Sequence, residues 1–187
     1  MFKNLIELTK VRIGFLVLTT TIIGFYLGAQ GKIDNMLLLF TVIGTLLSST
    51  GSSVMNNVIE SESDKLMDRT KNRVLPTKKI SLNFAKFLGI SFIIVGLLIL
   101  YFKVNFLTCM LSLLTIILYL FLYTPLKRES WLNTSVGAIP GAIPPLGGWT
   151  AATNSLEWGG IAVFLILFFW QHPDFYSIAY MYKEDYK

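Results

Sequence analysis

MLLLFTVIGTLLSSTGSSVMNNV, residues 36–58, carries no charge and is long enough to cross a bilayer, and IESESDKLMDRTKNR, residues 59–73, follows it without a break. An apolar run of about 20 residues that ends in densely mixed acids and bases reads as a membrane helix delivering charge to a membrane surface. If the helix continues into the charged segment, Asn56, Glu60, Asp64 and Asp68 recur every four residues on one strip. Lys65, Arg69 and Arg73 then form a second strip about 100° further around the axis. A divalent cation and an anionic ligand would fit side by side on such a surface.

The rest of the chain is equally apolar, with 53% hydrophobic and 14% aromatic residues in 187. Six runs, residues 11–29, 36–58, 84–102, 106–123, 132–152 and 159–181, are each long enough to span the hydrocarbon core. Backbone groups in lipid must bond internally, so the runs are helices. The expected fold is all-α, a polytopic transmembrane bundle of about six spans. No repeat, low-complexity tract or flexible linker divides residues 1–187, so a single transmembrane domain is expected.

Basic residues mark the cytoplasmic side of a membrane protein. With the N-terminus and the charged 59–83 interval inside, every lysine and arginine is cytoplasmic except Lys32 and Lys103. The net charge of +5 is thereby explained by topology, and no nucleic-acid partner is expected. The first run exceeds a signal-peptide core and lacks a small-residue cleavage site, so it reads as a retained anchor. Cys109, the lone cysteine, lies in an apolar run; this excludes an intramolecular disulfide and a centre built on cysteines.

Mixed acids and bases on a surface helix commonly make local pairs and nothing more, as Glu62 with Lys65 or Asp68 with Lys71 would. Against that reading stands the segregation into strips, because carboxylates four apart repel and a bound cation reverses the cost. Magnesium typically takes one or two protein carboxylates with phosphate oxygens and water. Glu60 and Asp64 suit that chemistry, with Asn57 or Asn56 as an amide partner, and Arg69 and Arg73 suit a phosphate clamp.

The pattern Asn56-Asn57-x-x-Glu60-x-Glu62-x-Asp64-x-x-Met67-x-Arg69-Thr70-x-x-Arg73 resembles the acidic signature of the UbiA-type intramembrane prenyltransferases. More narrowly, YTPLKR at 123–128, LNT at 132–134, GAIPGAIPPLGGW at 137–149 and WQHPDF at 170–175 resemble the heme O synthases, the protoheme IX farnesyltransferases. The final YKEDY at 182–186 fits the same family. The resemblance covers essentially the whole chain, and it implies a bundle of about nine helices, of which this chain carries six.

It also implies an activity: magnesium-dependent transfer of farnesyl from farnesyl diphosphate to a vinyl group of heme B, with water addition, in a bacterial-type cell membrane. Magnesium would fall to Glu60 and Asp64, with Glu62 and Asp185 further candidates. Asn57 would assist at the metal. Arg69, Arg73, Lys127 and Lys183 would bind diphosphate oxygens or heme propionates. His172 would ligate iron, move a proton or bond an interfacial carbonyl, and Asp174 with Asp185 would form a second acidic cluster. Tyr119, Tyr123, Trp149, Phe169 and Trp170 are available to face an allylic cation. Residues 137–148, with three prolines and four glycines, read as a broken helix walling a cavity, Gly137 and Gly141 in small-xxx-small spacing.

Three departures from the family pattern bear on these roles. Glu60 and Glu62 stand where the family has aspartate, which lengthens the arm. Val74 stands where proline follows the arginine, which is expected to loosen the turn. Asp174 replaces a histidine, leaving His172 two positions early. A quinone-precursor or chlorin acceptor, a membrane carrier, and a non-catalytic heme or lipid chaperone are the competing readings.

Overall fold

The computed structural model describes residues 2–68, 70–126 and 133–181, the side chains of 2, 133, 174–176 and 178–180 excepted. The described elements are all helical. An amphipathic α1 (Phe2–Thr9) leads into α2 (Val11–Ala29), α3 (Asn35–Asp64) and α4 (Leu82–Ile99). They are followed by α5 (Phe106–Ile117), a short α6 (Thr124–Leu126), α7 (Asn133–Thr153) and α8 (Trp158–Met181). Helices α4 and α5 each run on into a π-helical segment, Leu100–Val104 and Leu118–Tyr123.

Four of these rods are long and apolar enough to cross a membrane: Val11–Ala29, Asn35–Asp64, Leu82–Val104 and Phe106–Leu126. With α7 and α8 they make the six spans expected. Helix α7 is less apolar because its neighbours cover it: Ala138, Ala142, Ile143 and Leu146 are buried in the bundle.

Local chemistry sets the helix ends. Asp34 accepts from the Met36 and Leu37 N–H groups (2.9 and 3.1 Å), Ser81 from Phe84 (3.2 Å) and Asn105 from Thr108 (2.8 Å). Each cap satisfies donors that a helix start otherwise leaves orphaned. Hydroxyls within the spans bond carbonyls one turn back, as Thr21 does to Val17 and Thr41 to Leu37. Such bonds keep a polar side chain satisfied where water is absent.

Helices pack where side chains are missing. A Cβ added to Gly51 would lie 2.6 Å from the Gly89 carbonyl oxygen, and one on Gly96 2.6 Å from the Ser48 nitrogen, so α3 and α4 touch backbone to backbone. Likewise α2 meets α7 through Gly24 against Pro145 and Gly148 against Thr21. Close approach of this kind replaces the hydrophobic effect as the packing force between helices in lipid. The pair picked out by spacing, Gly137 and Gly141, does something else: Gly137 receives the Tyr123 ring and Gly141 the Gln171 side chain. Nor is this stretch broken. Helix α7 runs continuously through Pro140, Pro144 and Pro145.

The charged segment also differs from a long amphipathic helix. Helix α3 ends at Asp64, and residues 65–68 and 70–81 form turns that lead back to α4. Val74 and Leu75 fasten this return by burying themselves with Leu8, Val54, Val58 and Ala85. Val74, expected to loosen the turn, tightens it: its N–H donates to Glu7 Oε1 (3.2 Å), a bond that proline could not make.

Candidate functional site

The last three turns of α3 bring Asn56, Asn57, Glu60 and Asp64 into the bundle, all at 6% exposure or less. Burying a carboxylate is expensive unless it is paired. Asp64 meets that requirement through Arg73, whose Nη1 lies 2.8 Å from Asp64 Oδ2 and 3.9 Å from Glu60 Oε2. Arg73 comes to this place after α3 has ended at Asp64, not on a second helical strip. Removing one member of such a buried pair typically costs about 3–5 kcal/mol, because the other is left charged and uncompensated. Thr70 holds the return in place by donating to the Asp64 carbonyl (3.0 Å).

The amides on α3 knit the site to its neighbours. Asn56 Nδ2 donates to Thr124 Oγ1 (3.0 Å), which donates in turn to the Tyr119 carbonyl (2.7 Å). Asn57 Nδ2 donates to the Leu8 carbonyl (2.8 Å), while its buried Oδ1 has no partner among the described residues. Lys10 reaches Asn56 Oδ1 at 2.6 Å from the junction of α1 and α2, where its φ of 49° and ψ of 50° turn the chain. A left-handed non-glycine residue is uncommon and carries strain, which the charged hydrogen bond offsets. Lys10→Met, which keeps the length and loses the charge, is expected to lower stability by about 1.5–3 kcal/mol. Thermal melting in detergent reads this directly, and an unchanged melting temperature would deny Lys10 that role.

Below these groups lies a cavity of about 1070 Å³. At its charged end stand Glu7, Lys10, Asn57, Glu60, Asp64 and Arg73; further in come hydroxyls of α3 and α5 and the apolar side chains of α2, α7 and α8. Its lining on α3 extends from Asp64 back to Thr45, a length of roughly 28 Å at 1.5 Å per residue. Tyr119 and Tyr123 stack beside it, ring centroids 5.8 Å apart, and Trp170 also borders it. Trp149 and Phe169 do not line it; Trp149 packs on Gly28, Gly159 and Gly160.

Other expected site residues fall elsewhere. Glu62 is exposed and paired with Lys65 (2.7 Å), and Asp68 with Lys71, which are the ordinary surface pairs the charge pattern allowed. Lys71, by hydrogen bond first and charge second, holds the Asp68 carboxyl below the usual carboxylate range. Asp68 therefore does not continue the strip of Glu60 and Asp64. His172 sits on α8 away from the cavity lining, with Nδ1 2.8 Å from the Phe168 carbonyl and Nε2 3.2 Å from Ser135 Oγ. It bonds a carbonyl of its own helix and ties α8 to α7. Arg69, Lys127, Lys183 and Asp185 lie outside the described residues, as does the side chain of Asp174. Among the described residues no three of His, Cys, Asp and Glu converge as a metal site.

The sequence pattern gave no signal for Glu7, and it offered Lys10 only as one more cytoplasmic charge. Nothing in their spacing joins them to Asn56 or Val74; only the hydrophobic seat of Leu8 beside Val54 and Val58 does.

Helices long enough to span a bilayer line a cavity of that depth, charged at one end and walled further in by hydroxyls and apolar side chains, so the chain is a helical membrane protein with a deep chamber. The UbiA prenyltransferase family matches residues 17–187, and the chain belongs to that family. Similar proteins include a protoheme IX farnesyltransferase of Solibacter usitatus, 44% identical over 193 residues, covering 98% of this chain and 66% of that one. Another, a protoheme IX farnesyltransferase of Aquifex aeolicus, is 41% identical over 186 residues, covering 99% and 64%. The chain thus spans less than two thirds of the length of these relatives. Among solved structures, a UbiA homologue of Archaeoglobus fulgidus bound to DMAPP and Mg2+ shares the fold at TM-score 0.78 and 16% identity, over 98% of this chain and 66% of the other.

Proposed function

We propose that this chain provides the reaction chamber of a protoheme IX farnesyltransferase, transferring farnesyl from farnesyl diphosphate to a vinyl group of heme B. The observation that carries the reading is the buried Glu60 and Asp64 pair at the mouth of a lipid-deep cavity. Relatives at 37–44% identity bear that name, and the charged end is assigned to the cytoplasmic side, where most basic residues lie.

Magnesium fits the donors present: two buried carboxylates one turn apart on α3, and the Asn57 Oδ1 that has no partner among the described residues. Glu60, Asp64 and Asn57 would hold it, and once bound it supplies Lewis-acid stabilisation of the departing diphosphate. Arg73 and Lys10 add fixed positive charge at the same end, arranged before reaction and so costing no reorganisation during it. The allylic C–O bond breaks with its electron pair leaving on diphosphate, and the vinyl π electrons form the new C–C bond. Water adds to the resulting cation and loses a proton, giving the hydroxyethylfarnesyl side chain. Meanwhile the apolar side chains of α2, α7 and α8 that line the cavity disfavour water beside the allylic cation, and the Tyr119–Tyr123 stack offers it aromatic faces.

Mass spectrometry of heme extracted from membranes carrying this chain, supplied with heme B, farnesyl diphosphate and magnesium, tests the reading. A farnesylated hydroxyethyl heme is expected. A prenylated aromatic acceptor with no heme product would reassign the acceptor, and magnesium-independent behaviour would sink the mechanism.

A further inference from the structure

Three glycines of α7 line the cavity: Gly137, Gly141 and Gly147. With Pro140 and Pro144 they form one face of the helix, at spacings of three and four residues. The space a Cβ would take at Gly137 belongs to the Tyr123 ring, and that at Gly141 to the Gln171 side chain, so glycine is there for packing. At Gly147 a Cβ would meet nothing within 4 Å. Its backbone is helical and its φ is not positive, so conformation does not demand glycine either. Glycine inside a helix is less stable than alanine, and here neither packing nor geometry explains the loss. What remains is the open space itself, and that space is the cavity.

Gly147 stands at the end remote from the carboxylates. Thr124, at the start of α6, bonds Asn56 at the charged end, and Thr108 of α5 bonds Thr150 at the other (3.0 Å). The two threonines are separated by roughly 24 Å of helix, and Gly147 lies one turn short of Thr150. We propose that Gly147 sets the length of prenyl tail the cavity accepts, by leaving vacant the volume that the tail's last carbons fill. This rests on the reading of the cavity as a prenyl diphosphate site and names a residue that governs its specificity. Side chains placed at 147 take volume from the far end alone, so head binding is untouched.

The test is binding, which needs no acceptor. The whole chain, purified in detergent with magnesium, is titrated with dimethylallyl, geranyl, farnesyl and geranylgeranyl diphosphates beside Gly147→Ala, Gly147→Leu and Gly147→Phe. The longest tail that binds the unaltered chain is expected to lose at least about tenfold in affinity with leucine or phenylalanine at 147, the scale of a one-carbon misfit in an apolar pocket. Dimethylallyl diphosphate is expected to bind all four proteins equally. Gly147→Ala adds one methyl to open space and a better helix former, so it folds and carries the comparison even where phenylalanine does not. Variants whose affinities rise and fall with tail length in parallel with the unaltered chain overturn the proposal while leaving the prenyl diphosphate site standing. If the unaltered chain binds none of the four, the site reading fails and this inference goes with it.

Discussion

Glu60→Ala combined with Asp64→Ala is expected to lower kcat/KM for prenyl transfer by at least about 10³-fold, the scale on which removing preorganised charge from a transition state is felt. The two carboxylates share one face of α3, one turn apart and almost fully buried, and among the described residues no group of three His, Cys, Asp or Glu side chains converges to hold a metal in their place. Their loss also releases Arg73, which would then hold diphosphate without metal. Ground-state binding should therefore fall less than turnover and lose its magnesium dependence. Asp64→Asn with Glu60→Gln separates charge from shape: the amides preserve volume and still hydrogen-bond, yet they give a metal no anionic oxygen. Transfer that persists in either double variant with its magnesium dependence intact would remove the metal from α3 altogether.

Gly148→Val is expected to destabilise the fold by about 3 kcal/mol or more, at or above the upper end of ordinary overpacking. The reason is that the obstacle is backbone. A Cβ at 148 runs into the Thr21 carbonyl and lies 2.7 Å from the Phe25 nitrogen, and neither can rotate away as a side chain would. Relief requires α2 to part from α7, which also separates Gly24 from Pro145 and Gly28 from Trp149. Gly147→Val supplies the control one residue earlier, the same substitution into open space. The two variants should differ widely in thermal melting in detergent. Equal melting temperatures would mean that α2 and α7 do not approach as closely as described.

Much of this architecture was legible in the chain because lipid simplifies the code. An uncharged run of some 20 residues has few structural options, and the six runs became six helices with ends close to those expected. The Glu60–Asp64 pair was legible for a similar reason, since four-residue spacing on a helix needs no tertiary information. The same arithmetic failed beyond Asp64, where it presumed a helix that stops. Arg73 reaches Asp64 because Val74 and Leu75 are pulled into an apolar seat shared with Leu8, a contact between distant segments that periodicity cannot express. Lys10 looked like one more topological charge, and its bond to Asn56 spans 46 residues of chain. The glycines were visible, but their partners were not: small-xxx-small spacing is the same whether the gap receives a backbone, as at Gly148, a ring, as at Gly137, or nothing, as at Gly147.

Both ends of the cavity hang on a single uninterrupted rod. Thr45 and Ser48 near its depth and Glu60 and Asp64 at its mouth belong to one α-helix, with no joint between them to absorb an error. One extra codon between them would turn everything beyond it by about 100° and advance it by about 1.5 Å, carrying both carboxylates around toward lipid. Four extra codons would nearly restore the facing, but would set the mouth about 6 Å further from the depth. Along this stretch the gene cannot change its length, whereas the short connection at residues 154–157 is under no such constraint of phase.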